Sequence, residues 1–227
     1  MSTLDRIINY CNNCINDVYI SEYENYLSCV KHKQACKRFL KDIENPNYYW
    51  DEDEVNKVLK FFSYLRHSKG VLAGKPIILN DWQVFLIGNI YGLRKKSTGY
   101  RKFKTCFIEV ARKSSKSQLQ SGIILYEMSC TATKNGELME CYCAGTKREQ
   151  SKIIFEECKL MLRNSPLSLK FDIRANKIIH KKTKSFITPL SKEDGKSGDG
   201  TNCGVLVLDE WYLSRVNRYV SVKAKLI

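Results

Sequence analysis

Four prolines are spread over 227 residues and no stretch is rich in proline or serine, which excludes a long linker. No apolar run approaches the roughly 18–20 residues needed to cross a bilayer, so no membrane span is expected. The opening MSTLDRIINY lacks the apolar core of a secretory signal. Disulfides are therefore not expected either: ten cysteines without such a signal read as free thiols in a reducing compartment. Acid is scarce beyond the first third of the chain. Residues 1–75 hold 11 Lys/Arg against 10 Asp/Glu, whereas residues 76–227 hold 27 against 14, so nearly all of the net charge of +14 falls in the second part.

What is present suits a packed protein of one large or two small domains, with 43% hydrophobic and 27% charged residues. Basic residues concentrate at Arg94, Lys95, Lys96, Arg101, Lys102, Lys104, Arg112, Lys113 and Lys116, with Glu109 the one acid among them. Such a run attracts polyanions, or it is a solvated surface.

Periodicity divides the chain. Leu4, Ile7, Ile8, Cys11 and Ile15 recur at helical spacing, and Tyr26, Leu27, Val30, Ala35, Phe39 and Leu40 mark a second stripe. Asp51, with Glu54 three residues on, predicts a capping box ahead of Val55, Val58, Leu59, Phe62 and Leu65. Asp81 reads as the cap of a short helix carrying Trp82, Phe85 and Ile87. Beyond it, strands are expected at 106–110, 139–144, 171–173, 177–179, 185–188 and 204–208, with helices over 116–128 and 147–163. Strands alternating with helices predict an α/β fold with a mostly parallel sheet. The division expected is a helical part, 1–75, and an α/β core, 76–227.

The segment CFIEV-ARKSSKS-QLQSGIILY reads as strand, polar turn and helix. A turn ending in Lys-Ser at a helix N-terminus offers amides to phosphate oxygens. Lys116 can then reach the phosphates and the Ser117 hydroxyl a Mg²⁺ ion. Against G-x-x-x-x-G-K-[ST], the glycine positions are held by Val110 and Ser115, so the loop also reads as an ordinary basic turn. About ninety residues on, Val205–Leu208 forms an apolar strand ending in Asp209-Glu210, an arrangement that can hold a metal and orient water. Together they point to a P-loop NTPase.

These segments resemble the N-terminal ATPase region of tailed-phage terminase large subunits of the HK97-like type. The resemblance runs through ACKRFLKDIE, YYWDEDEVNKVLKFFSYLRHSKGVLAGKPIILNDWQ, YCAGTKREQSKIIFEECKLMLRNSP and SKEDGKSGDGTNCGVLVLDEW. In that family the Walker A loop is commonly similar to RKNGKS, without the first glycine, which matches Arg112, Lys113, Ser114, Ser115, Lys116 and Ser117, with Ser115 departing from the usual glycine.

The resemblance implies a RecA-like P-loop fold that binds ATP and Mg²⁺. It implies Trp82 and Gln83 at the adenine, Ser117 and Asp209 as Mg²⁺ ligands, Glu210 as the catalytic base and Arg112 stabilising charge on the transferred phosphoryl group. It further implies ATP-driven packaging of double-stranded DNA into a procapsid in the host bacterial cytoplasm. The partners would be a portal protein, a small terminase subunit and further copies in a ring. The seventeen residues after Glu210 hold no Asp or Glu, so the family's nuclease carboxylates are not expected in this chain. An inactive remnant that only binds nucleotide or DNA, and another nucleic-acid-dependent P-loop ATPase, remain open.

Cys11, Cys14, Cys29 and His32 form C-x2-C-x14-C-x2-H, a spacing compatible with tetrahedral zinc. Both pairs also fall in helical stripes, where cysteine is an ordinary core residue. His67 and His180 stand alone and read as surface or loop residues, and Asp194 to Gly200 as a glycine-rich turn.

Overall fold

The computed structural model describes residues 1–21, 25–111, 113–145, 148–190 and 203–208. It divides into two compact units, one of Met1–Lys60 with Ile78–Cys106, the other of Phe61–Ile77 with Phe107 onward.

The first unit is mainly helical: α1 (Thr3–Ile15), α2 (Val30–Ile43), the greater part of α3 (Glu52–Tyr64) and α4 (Asp81–Ile87). Helix α1 starts at a capping box in which the Ser2 hydroxyl accepts from the Asp5 N–H and the Asp5 carboxylate accepts from the Ser2 N–H. It buries Ile7, Tyr10, Cys11 and Cys14, one stripe of a 3.6-residue period. Arg6 ties it to the start of α4, pairing with Asp81 at 2.7 Å and donating to the Leu79 carbonyl at 3.2 Å.

A two-stranded ribbon, β1 (Tyr48–Trp50) antiparallel to β2 (Leu93–Lys95), closes the unit. Trp50 makes an edge contact with Phe39 at 5.9 Å. Its ring lies so close to the backbone at Gly92 that a Cβ there would come within 2.3 Å of it.

Two expected caps differ in detail. Asp51 does cap α3, accepting from the Glu54 N–H at 3.0 Å, but its own N–H donates to the Gly92 carbonyl, so the box is half-formed. Helix α4 is capped by Asn80, not Asp81: the Asn80 side chain and the third helical residue, Gln83, complete the box.

The second unit holds α5 (Lys116–Tyr126), α6 (Ala132–Asn135), α7 (Arg148–Leu162) and a five-stranded sheet. Its strands are β3 (Glu140–Ala144), β4 (Phe171–Ile173), β5 (Ile178–His180), β6 (Phe186–Pro189) and β7 (Cys203–Leu208), in spatial order β4-β5-β6-β3-β7. Strand β3 runs parallel to both β6 and β7, while β5 is antiparallel to β4 and β6. The expected α/β fold with a parallel core is therefore present, with an antiparallel edge. Cys141, Tyr142 and Cys143 are all buried, as a strand covered on both faces requires.

Helix α5 buries Leu119 and every residue from Ser121 to Tyr126, so its second half is enclosed on all sides. Its Ser121 hydroxyl donates to the Ile154 carbonyl of α7 at 3.1 Å, and a Cβ on Gly122 would meet Phe62 at 2.1 Å. Among the described residues no helix is long and apolar enough to cross a membrane.

The strand expected over 106–110 is absent: these residues make no ladder, and Phe107 is 73% exposed. An apolar run becomes a strand only where a neighbour accepts its backbone bonds, and among the described residues β7 forms a ladder with β3 alone. His180, expected at the surface, is buried at the end of β5 with Nδ1 2.9 Å from the Thr183 hydroxyl. The glycine-rich turn of 194–200 lies outside the described residues.

Candidate nucleotide-binding site

Two residues of the loop ahead of α5 take left-handed backbone: Lys113 with φ 67° and Ser115 with φ 58°, ψ 26°. That region disfavours a side chain by about 1–2 kcal/mol and is glycine's natural place. Ser115 is also the N-cap of α5, yet its hydroxyl accepts nothing from the first turn. The first α-helical bond of that turn is Leu119 N–H to the Ser115 carbonyl, at 3.0 Å. The amides of Lys116, Ser117 and Gln118 thus face the loop at the positive end of an 11-residue helix. Lys113 and Ser115 are exposed, and Ser114, Lys116 and Ser117 are half-buried. Helix-start amides, a helix dipole, a lysine and a hydroxyl together form the donor set that phosphate oxygens and a hard cation require.

A polar contact that the sequence does not disclose secures the helix start. Glu157 of α7, itself buried, accepts from the Gln118 amide at 3.4 Å and from the Ser68 hydroxyl at 2.6 Å. These residues are 39 and 89 positions from Glu157, beyond the reach of any local pattern.

Strand β7 ends at Leu208, level with Ala144 on the parallel β3, so both chains leave the sheet at its carboxyl edge. In open α/β sheets that is the edge where ligands bind. Asp209 and Glu210 follow directly in sequence; with Arg112 they lie outside the described residues.

Trp82 and Gln83 lie on α4, in the first unit. Trp82 is half-buried. Gln83 is buried, and its Oε1 accepts from the Asn80 N–H at 3.1 Å as part of the helix cap.

The basic run of 94–116 does not lie on one open face. Arg94 pairs with Asp51 at 2.7 Å and lies 3.8 Å from Glu54. Arg101 is buried, with its guanidinium 4.3 Å from the Tyr91 ring centre. Lys102 forms an ion pair with Asp42 and lies 4.4 Å from the Tyr48 ring centre. Lys95, Lys96, Lys104 and Lys113 are exposed.

The zinc spacing resolves differently from its sequence reading. Cys14, His32 and Cys36 offer ligand atoms that all lie within 4.8 Å of one another. Cys29 is exposed at the N-cap of α2 and is not among them. The reason is helical geometry: His32 and Cys36 are four apart on α2 and share a face, whereas Cys29 precedes the helix. The signal that would have found Cys36 is that i, i+4 pair. Without metal, a hydrogen bond with Cys36 and burial push the Cys14 thiol up to about 12, and a hydrogen bond with Cys11, reinforced by burial, pushes Cys36 up to about 12.

Residues 81–225 match the family described as the terminase large subunit, ATPase domain. In three dimensions the chain is similar to the large terminase of bacteriophage HK97, with a TM-score of 0.54 and 22% sequence identity. The similarity covers 69% of this chain and 31% of that one, so this chain spans about a third of that terminase. At that identity the likeness shows a shared fold. No curated protein matches the chain.

Proposed function

The chain belongs to the family of terminase large-subunit ATPase domains, and from that premise we propose that it binds ATP with Mg²⁺ at the loop 111–117 and hydrolyses it to drive double-stranded DNA into a procapsid. The observation that carries this reading is the left-handed Ser115 at the head of α5, in the position where related loops hold glycine. Such a backbone turns the first amides of the helix outward, to where phosphate oxygens bind.

In this proposal the α5 amides and the Lys116 ammonium hold the phosphates, and Arg112 stabilises negative charge on the transferring group. Ser117 and Asp209 hold the Mg²⁺ ion, which neutralises phosphate charge when bound. Glu210 accepts the proton of the attacking water. Trp82 offers a wall to the adenine and Gln83 a side-chain amide, whose oxygen is already engaged by the Asn80 N–H. The division into a helical part, 1–75, and an ATPase core, 76–227, belongs to the same proposal. So do the partners: a portal protein, a small terminase subunit and further copies of the chain in a ring.

Hydrolysis measured with and without duplex DNA tests the reading. Positioned general-base catalysis contributes about 10²–10⁴ in rate. Glu210→Gln is therefore expected to lower turnover by at least about 10² while ATP still binds. Equal turnover in the two proteins would remove Glu210 from the role of base.

A further inference from the structure

The cysteine–histidine cluster between α1 and α2 has no part in the nucleotide reading. We propose that Cys14, His32 and Cys36 bind one zinc ion, with Cys11 as the fourth ligand.

The geometry is nearly closed without the ion. Zinc takes sulfur at about 2.3 Å and imidazole nitrogen at about 2.0 Å in a tetrahedron, which sets ligand atoms roughly 3.5–3.8 Å apart. The three ligand atoms here already lie within 4.8 Å of one another, so small side-chain adjustments bring them to an ion. Cys11 and Cys14 are three apart on α1, and His32 and Cys36 four apart on α2, so each helix presents a pair of ligands from one face. Cys11 is fully buried one turn before Cys14 on the same helix; its sulfur is not among the three ligand atoms that already lie within 4.8 Å, and a change of rotamer would bring it to the remaining corner.

The surroundings suit a metal site as well. The Tyr10 hydroxyl and His32 Nε2 share a hydrogen bond of 2.9 Å. A hydrogen-bond partner on the imidazole fixes the orientation of the ring, as outer partners do for metal-bound histidines. Phe85, with its ring 5.6 Å from both Tyr10 and His32, shields the cluster with apolar surface. Three sulfurs and one imidazole, with no carboxylate in the set, select a soft tetrahedral ion, and four protein ligands leave no open position for chemistry. The role is therefore structural. The ion would clip α1 to α2, and its binding energy would add to the stability of the fold. The competing reading is three core thiols beside a histidine, which would take up no metal.

The full chain, purified under reducing conditions, is assayed for zinc by elemental analysis, then stripped with a chelator and titrated with cobalt(II). The proposal expects one metal per chain, with the intense visible bands of tetrahedral cobalt and sulfur-to-cobalt charge-transfer absorption. Cys29→Ser should leave the spectrum unchanged, and Cys14→Ser or Cys36→Ser should abolish it. Cys11→Ser should lose one thiolate's share of the charge-transfer intensity; an unchanged spectrum in that variant overturns Cys11 as the fourth ligand. Because substitution at a buried cysteine can unfold the chain, the wild type carries a second readout. Zinc should raise its melting temperature and slow alkylation of Cys14 and Cys36 without changing that of Cys29. A folded wild-type chain that takes up neither zinc nor cobalt, shows only the weak spectrum of octahedral cobalt, or carries a different metal would overturn the assignment.

Discussion

Ser115 holds a left-handed backbone (φ 58°, ψ 26°) immediately before Lys116, the first residue of α5. The serine thus takes up a conformation that favours glycine, at the point where the helix amides and the lysine meet the loop. Replacing it by glycine has two opposing effects. Relief of the left-handed backbone contributes about 1–2 kcal/mol, and the added freedom of the unfolded chain costs about 0.4–1 kcal/mol. Ser115→Gly is therefore expected to leave the melting temperature unchanged or raise it by up to several degrees. Removing the Cβ beside the phosphates should tighten ATP binding by roughly three- to tenfold, as measured by calorimetry, since about 1.4 kcal/mol corresponds to a factor of ten. Weaker ATP binding by Ser115→Gly would mean that the loop does not present this residue to the nucleotide.

His180 gives the chain a pH dependence of known sign. Burial pushes its imidazole below the ordinary range, and the charges of Lys170 and Lys182 act in the same direction. The neutral ring is therefore favoured by folding. Its contribution is fully present above the unfolded value near 6.5 and is lost as pH falls from there through the lower folded value. Urea unfolding at pH 7.5 and 5.5 should show wild type losing stability on acidification and His180→Gln losing less. Identical losses in the two proteins would place the acid sensitivity elsewhere.

Duplex DNA is expected to bind without sequence preference and to weaken steeply as salt rises, because each neutralised phosphate releases counterions. The exposed Lys95 and Lys96 should each contribute, so replacing both by alanine should lower the slope of log K against log salt by about 2. Lys102→Ala should instead lower stability, since it leaves Asp42 buried without its ion-pair partner. An affinity flat across low and moderate salt would make the basic excess a solvated surface.

Where a structural choice is local, the sequence discloses it. The apolar run of β7 and the periodicity of α7 give those elements to within a residue or two, and β4 falls on its expected span. Where the choice depends on a distant partner, it does not. The run 106–110 has the composition of a strand, and among the described residues no neighbour makes it one. Arg94, Arg101 and Lys102 look like members of one basic patch, yet distant carboxylates take up Arg94 and Lys102, and the Tyr91 ring takes up Arg101. Asn80 and Asp81 are both good caps, and only the backbone at the helix start decides between them. Cys29 and Cys36 are equally plausible partners for His32 by spacing, until α2 begins at Val30 and leaves Cys29 outside the shared face. In the loop at 111–117 the residue types suggested phosphate binding, while the strained backbone at Ser115 was legible only through its resemblance to loops that carry glycine there.

Calorimetric titration of ATP with Mg²⁺ into wild type and Lys116→Ala tests the central claim most directly. A charge-assisted contact to phosphate contributes about 1.5–3 kcal/mol. Wild type should bind, and folded Lys116→Ala should bind at least about tenfold more weakly. Equal affinities in the two folded proteins would contradict the account, because the phosphates would then lie somewhere other than the head of α5.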